Sequence, residues 1–513
     1  MNCAFVFLLI APLLPLLAAL GIAAHILSGR ARGDAAEPPT ARIAIGAAWA
    51  VVVLMLALDG LALVEGAPGH FTLGAWFSSG AVDIPISFMA DGLALGAATL
   101  VALIGAVTLH YARNYLHREA GFHRFFMLMS LFLAGMLLIV LAGNAALTFV
   151  GWELCGLTSF LLIGYAYERP VATGNALYAF LSNRVGDAGF VLGISLAAWW
   201  VGSLEWAAIA DWAAGAGETR FDKVQARLLL FGFLLAAVIK SAQVPFAAWI
   251  ARALEGPTPS SAIFYGAVMV HAGVYLTIRL EPVLLQVPDI MVYLALIGAA
   301  TALYGWLGGL VQTDVKSALI FSTTLHVGLM FLLCGLGAFE AAGWYMAAHA
   351  SWRVWQFLLA PSYMHTAAGP AAPAPRWLTG HQWLYTAALQ RFWLEGLVRN
   401  VLIRPFQAIG RDMRDLDDKV LSHLVGMPAR WRAGPRAEGD TAVIVGHGLA
   451  GRLLYAIAES FRKLENRLLM KGDGGTFSRM SRVLGNYLLL IESMIEQPRY
   501  LILAIATTFI VIL

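Results

Sequence analysis

Residues 147–165 read LTFVGWELCGLTSFLLIGY, an apolar run with one carboxylate, Glu153, inside it. The hydrocarbon core of a bilayer is about 30 Å thick, so a spanning helix takes roughly 20 apolar residues. With its flanks (145–166) this run supplies them. Working outward, similar runs recur at about 4–27, 44–64, 87–110, 124–142, 175–201, 226–248, 258–280, 288–310, 315–338, 342–362 and 497–513. In hydrocarbon every backbone amide must bond internally, so runs of this length predict helices. A barrel would show short alternating segments instead. The expected fold is an all-α polytopic membrane protein with about 12 transmembrane helices of this length.

Composition agrees. Of 513 residues, 60% are hydrophobic and 13% charged, and mean hydropathy is +0.73. A soluble domain is about 45–50% apolar and about 25% charged, so that class is excluded, as is disorder. A net charge of +3, without clustered basic residues or a docking motif in the apolar two-thirds, excludes a nucleic-acid binder. Cys3, Cys155 and Cys334 lie in apolar runs, with no metal-type spacing and no disulfide framework. No Gly-rich nucleotide loop, flavin site or cluster ligand set is present. No metal and no cofactor are expected, and no catalytic or redox centre within the chain.

The first run lacks a basic start and a cleavage pattern, so it reads as a retained helix rather than a signal peptide. Loop charge sets orientation. Arg30, Arg32 and Arg42 lie in the first loop, none in the second (about 65–86), and Arg113, Arg118 and Arg124 in the third. The first and third loops are expected in the cytoplasm and the N-terminus on the periplasmic side of a bacterial inner membrane.

After His365 the character changes. Residues 366–376, TAAGPAAPAPR, open a linker expected over 367–390. Residues 391–472 carry 14 Lys/Arg and 9 Asp/Glu interleaved with apolar residues. LEGLVRNVLIRPFQAIGRDMRDLDDKVLSHL, from residue 394, spaces its apolar residues by three and four, as an amphipathic helix lying on a membrane or on neighbouring proteins would. A second such stretch covers about 448–470, and 429–441 reads as a loop. The expected division is a transmembrane domain over 1–366, the linker, a basic amphipathic region over 391–496 and a last helix over 497–513.

Ionisable residues inside apolar spans cost a few kcal/mol each and mark ion or proton pathways. Glu153 has no basic residue within ten positions on either side, so its partner must come from another helix. Burial raises a carboxyl pKa and a nearby cation lowers it; a group held between the two can switch. Lys240 lies in FLLAAVIKSAQVPFAAWI, five residues before Pro245, which cannot continue a helix ladder. A broken helix beside a buried lysine, whose proton desolvation loosens, is a recurrent transporter feature. A second break is expected at Pro257 and Pro259, with His271 deep in the following span and able to relay protons. Tyr265, Ser260 and Ser261 are placed to bridge waters. Lys316 opens the span that carries His326. His349 and Arg353 share a helix face at i and i+4, where arginine, always charged, holds water but is a poor proton donor. Arg184 and Asp187, three apart, read as a structural ion pair at a membrane edge. Together these residues predict a polar axis across a bundle, coupled by Coulomb forces in low dielectric.

These stretches, with SNRVGDAGF, KSAQVPFAAWIARALEGPTPSSA, MVHAGVYL, DVKSALIFSTTLHVGLMF and upstream ISFMADGLAL and YARNYLHREAGFHRFFMLMSLFLAGMLL, resemble the proton-conducting antiporter-like family. That family includes the large L-type membrane subunit of respiratory complex I, its counterpart in Mrp sodium/proton antiporters and the membrane subunit of Dab-type inorganic-carbon pumps. The resemblance is closest to the L type and covers about residues 5–366. It implies two inverted five-helix repeats with broken helices, here 226–248 and 342–362. It also implies that Glu153 and Lys240 are the proton-moving pair, Lys316 the bridging lysine and His349 the histidine of the second broken helix. Three departures stand out. HASWR replaces the family's HAFFK-type motif, so Arg353 stands where a lysine is usual. Tyr265 replaces a histidine. The two helices expected after His365 are missing. The tail LEGLVRNVLIRPF is similar to the family's lead into a lateral helix.

The resemblance implies a proton-conducting subunit of a multi-subunit complex. Its partners would be other membrane subunits and a cytoplasmic redox arm or zinc-dependent hydration-type subunit. Alternatives are inward proton flow driving carbon dioxide or bicarbonate uptake, one component of a sodium/proton antiporter, and a scaffold with a degenerate channel.

Overall fold

The computed structural model describes residues 3–79, 82–217, 219–366 and 373–416. The chain divides into two units, Met1–Ile403 and Arg404–Leu513. The first is a helical bundle opening with α1 (Cys3–Leu27) and α2 (Glu37–Glu65). A two-stranded antiparallel hairpin follows, β1 (Gly69–Ser79) and β2 (Val82–Ala90), then α3 (Gly92–Tyr115), α4 (Phe122–Leu141), α5 (Ala145–Ile163) and α6 (Pro170–Trp200). Next come α7 (Trp206–Ala213), α8 (Lys223–Lys240), α9 (Ala248–Arg252), α10 (Thr258–Ser261), α11 (Ala272–Arg279) and α12 (Glu281–Leu284). The long α13 (Pro288–Gly309), α14 (Val315–Gly335) and α15 (Phe339–Thr366) complete the bundle. Helix α4 lies at its centre: 15 of its 20 residues are buried, on every face, as for a helix surrounded by others.

Among the described residues eight helices are long and apolar enough to cross a membrane. The expected spans at 175–201, 226–248 and 342–362 fall outside those eight, although the first and third are helical and the second is helical as far as Lys240. Each carries polar interruptions: Arg184 and Asp187 in α6, Lys223, Arg227 and Lys240 in α8, His349 and Arg353 in α15. The expected span at 497–513 and the stretches at 429–441 and 448–470 lie outside the described residues.

Four expectations are corrected. First, the loop expected at about 65–86 is a strand hairpin. Its 67–91 segment is too short of apolar residues to span, and β2 takes residues 82–90, so the third helix starts at Gly92 rather than 87. Asp91 caps it, its Oδ1 accepting from Ala94 N at 2.8 Å. Second, Pro257 and Pro259 do not break a span. They seat the start of one, Pro257 as N-cap and Pro259 in the first turn of α10, where a missing N–H costs nothing. The irregularity comes later, as a π-helical turn at Ala262–Ala267, a kink at Val268 (φ −133°, ψ −56°) and a 3-10 turn at Met269–His271. Third, α15 runs unbroken from Phe339 to Thr366. Its one proline, Pro361, falls in the last two turns, so only α8 has the expected interruption. There the chain leaves the helix after Lys240, passes Ala242 at φ +51° and Pro245, and resumes helix at Ala248. Fourth, the expected linker contains helices at Arg376–Thr379 and Gln382–Leu389. Trp377 stacks on Trp306 of α13, with ring centroids 5.5 Å apart.

Residues 391–403 also belong to the first unit. Glu395 anchors them, pairing with Arg252 of α9 and with Arg399 at 3.1 Å. Of the second unit, the helix Arg404–Leu416 is described.

Candidate functional site: two buried polar clusters

The first cluster joins α5, α6 and α8. Glu153 Oε2 lies 2.6 Å from Arg184 Nη1, and Arg184 Nη2 lies 2.6 Å from Asp187 Oδ2. One guanidinium therefore sits at ion-pair distance from two carboxylates. The partner that Glu153 lacked in its own helix is Arg184. This ion pair lies midway along the 31-residue α6, not at its edge.

Lys240 ends α8 with 1% of its surface exposed. Its Nζ donates to the Trp152 carbonyl at 3.3 Å and sits 5.0 Å from the Trp152 ring centroid. Among the described residues it makes no ion pair. Asp187 and Glu153 act on it across a gap, Asp187 more strongly. Gly156 makes the gap possible: a Cβ there would stand 3.2 Å from Arg184 Nη2 and 3.5 Å from Lys240 Nζ. The four ionisable groups sum to zero when all are charged. Glu153 Oε1, Asp187 Oδ1 and Asn183 Oδ1 are buried with no hydrogen-bond partner among the described residues. Buried polar atoms rarely stay unmatched, so the cluster has valences open to water.

The second cluster joins the 3-10 turn before α11 to α14 and α15. His271 Nε2 and His349 Nδ1 are 3.0 Å apart. Arg353 Nε donates to His349 Nε2 at 3.4 Å, and its Nη2 donates to Ser322 Oγ at 2.8 Å. His326 bonds the Tyr345 hydroxyl, and its ring centroid is 5.0 Å from that of His349. His271, His349 and Arg353 are 4%, 5% and 3% exposed. An arginine can only donate. It therefore makes His349 Nε2 an acceptor, leaves that ring's proton on Nδ1, and aims it at His271 Nε2. The donor order runs Arg353, His349, His271.

The two clusters meet at the two helix irregularities. Ser241, the residue after Lys240, donates from Oγ to the carbonyl of Val270, the residue before His271, at 2.6 Å. Gly273 sets this approach: a Cβ there would lie 2.2 Å from Ala237 O and 2.3 Å from Ser241 Oγ. Trp249 of α9 donates from Nε1 to Ile239 O at 2.8 Å, a carbonyl that also accepts from Ala242 N at 3.0 Å, and so ties α9 to the end of α8 across the break.

Lys316 joins neither cluster. Its Nζ donates to Thr258 Oγ1 at 2.7 Å, and Thr258 Oγ1 lies 3.0 Å from Tyr115 OH. Pro245 lies between α8 and α9. Sequence reasoning missed Trp152, Gly156, Ser322 and Tyr345. An aromatic beside Glu153 was visible, but nothing local marks a glycine or serine that only a neighbouring helix makes important. Among the described residues no three His, Cys, Asp or Glu side chains are arranged to hold a metal ion.

Comparison with known proteins agrees with this architecture. Residues 142–370 match the family described as NADH:quinone oxidoreductase/Mrp antiporter, TM, and residues 76–126 match NADH-Ubiquinone oxidoreductase (complex I), chain 5 N-terminus. NAD(P)H-quinone oxidoreductase subunit 5 of the Paulinella chromatophora chromatophore is 34% identical over 357 residues, covering 69% of this chain and 53% of the relative. The chloroplast subunit 5 of Zygnema circumcarinatum is also 34% identical, covering 69% and 51%. The chain thus spans about half the length of the curated relatives it matches. Among solved structures, the Mrp complex from Dietzia sp. DQ12-45-1b superposes with TM-score 0.60 at 22% identity, covering 100% of this chain and 62% of the other. An archaeal membrane-bound sulfane sulfur reductase superposes with TM-score 0.61 at 18% identity, covering 71% and 72%. The chain belongs to the L-type antiporter-like family of membrane subunits shared by NADH:quinone oxidoreductase and the Mrp antiporter.

Proposed function

We propose that this chain conducts protons across a bacterial inner membrane as one subunit of a multi-subunit energy-coupling complex. The observation that supports this is the meeting of two deeply buried polar clusters at the Ser241–Val270 contact. Isolated structural ion pairs would have no reason to sit on facing helix irregularities. In this reading Lys240 and the carboxylates of Glu153 and Asp187 exchange charge states. The histidines His271, His349 and His326 pass protons, while Arg353 holds them in one tautomeric order; Lys316, held apart at Thr258, would join the relay only through intervening water. Other subunits would supply the driving chemistry, and this chain would dock them through its basic tail, with its N-terminus on the periplasmic side.

The second reading, inward proton flow that energises uptake of carbon dioxide or bicarbonate by a cytoplasmic partner, draws on Arg353 and the unbroken α15. A one-way conductor tolerates a fixed cation at that place better than a pump that must reload it. Purification of the tagged chain with its companions separates the two, redox subunits against a zinc-dependent hydration subunit. Proton uptake by vesicles holding the complex tests both. Uptake lost in Lys240→Ala and independent of sodium supports conduction of protons. Equal uptake in wild type and Lys240→Ala removes the role given to Lys240, and equal uptake in Glu153→Gln as well favours a scaffold.

A further inference from the structure

Four residues along from His271 on the same helix face lies Tyr275, and four further lies Arg279. This i, i+4, i+8 row climbs from the histidine cluster to the hairpin end of the bundle. Tyr275 is buried, and both valences of its hydroxyl are engaged. It donates to the Val140 carbonyl at 2.6 Å and accepts from Arg279 Nη2 at 2.6 Å. Arg279 in turn pairs with Asp91, the residue that follows the hairpin, Nη2 donating to Asp91 Oδ1 at 3.2 Å. The Arg279 side chain is 10% exposed and that of Asp91 42%, so the row ends at the surface. Both His271 and Tyr275 line a small, partly open pocket of about 20 Å³, walled otherwise by apolar side chains that include Leu100, Val101, Met136 and Met346. That is room for about one water, but a site needs polar partners to keep a water, and constrictions with apolar walls gate by dewetting.

We infer that Tyr275, Arg279 and Asp91 form the hairpin-end gate of the histidine cluster, a charged lid over a dry gap. The inference rests on the conduction reading above. A proton leaving His271 in this direction meets first an apolar gap and then a fixed guanidinium. Neither offers it a place to stop while the Arg279–Asp91 pair is closed. When that pair opens, Arg279 turns outward, the Tyr275 hydroxyl is freed, and water reaches the gap from the hairpin side. The same three residues then line a wetted outlet from His271. The lid keeps the pathway from leaking between turnovers.

The test uses the intact complex in vesicles of phosphatidylethanolamine and phosphatidylglycerol, with the driving reaction idle and passive proton leak followed by an internal pH dye. Asp91→Asn is the informative variant, because asparagine keeps the N-cap bond to Ala94 and removes the charge that holds Arg279. The leak should rise at least three-fold, and His271→Gln added to it should return the leak to the wild-type level. A wild-type leak in the assembled Asp91→Asn complex overturns the gate. So does a raised leak that survives His271→Gln. Where Asp91→Asn fails to assemble, Tyr275→Phe is read by the same criteria. Driven flux that is lost in Lys240→Ala, with no leak in Asp91→Asn, removes the gate alone. Driven flux indifferent to Lys240→Ala removes the reading beneath it.

Discussion

Replacing Arg184 by glutamine should destabilise the protein far more than removing both Arg184 and its buried acid together. In the structure one guanidinium holds Glu153 and Asp187, each at 2.6 Å. The two carboxylates are not equivalent: the Asp187 side chain is 6% exposed and that of Glu153 is 30% exposed. Breaking a buried pair by removing one partner costs about 3–5 kcal/mol, because the other charge stays desolvated. A partly exposed pair contributes about 0–1 kcal/mol. Arg184→Gln should therefore cost about 3 kcal/mol, the low end of that range, nearly all of it through Asp187, because Lys240 remains and acts on Asp187 more strongly than Arg184 does. Adding Asp187→Asn removes the stranded charge and should restore at least about 2 kcal/mol, within the range of couplings seen between contacting residues. Heat-unfolding midpoints of the purified complex for wild type, both single variants and the double give the cycle. An Arg184→Gln protein as stable as wild type, or a double variant whose losses simply add, would refute the assignment of Arg184 as the clamp on a buried acid.

Three further outcomes follow from particular contacts. Gly273→Ala should abolish flux, and with it most assembled complex, since its methyl would overlap Ala237 O; Gly21→Ala, with nothing within 4 Å of the added atom, should be silent in both flux and yield. Asn144→Ala should lower the unfolding midpoint by the equivalent of about 1–2 kcal/mol, the cost of a lost cap. Asn144 Oδ1 caps α5 at Leu147 N while its Nδ2 holds Ser87 Oγ and the Pro85 carbonyl, and an unchanged midpoint would contradict this. For Asp91, burial pushes the carboxyl up, but the hydrogen bond and charge of Arg279 and the bond from Ala94 N pull it down further, so it rests below its ordinary value of 3.8. A depressed carboxyl stabilises the fold above its unfolded value and loses that contribution as pH falls through the folded one. Wild type should therefore lose stability below about pH 4 relative to Asp91→Asn, and parallel pH profiles would count against it.

Much of this was legible because the bilayer makes charge conspicuous. Glu153, Lys240, His271, His349 and Arg353 stand out as ionisable residues in apolar runs, and the structure gathers them into two neighbouring clusters. Partnership was not legible. Arg184 and Asp187 read as a local pair because they are three apart, whereas α5 and α8 pack against α6, pair Arg184 with Glu153 and set Lys240 across a gap from both carboxylates. Arg279 and Asp91 sit at span ends, where charges are ordinary, and only the fold, which brings the end of α11 to the residue capping α3, makes them a pair. The hairpin was hidden because a few residues of β2 are as apolar as the helix that follows. The break expected in α15 rested on resemblance; its own residues contain no proline or glycine between Gly343 and Pro361, so the helix continues.

The most direct test of conduction through both clusters is a double-variant comparison of driven proton flux. Lys240→Ala, His349→Gln and the pair combined would be measured in vesicles holding the assembled complex. Two clusters acting in series predict that each single variant falls to one shared low rate and that the double is no slower. Losses that multiply, or a single variant that retains wild-type flux, would contradict a route running through both.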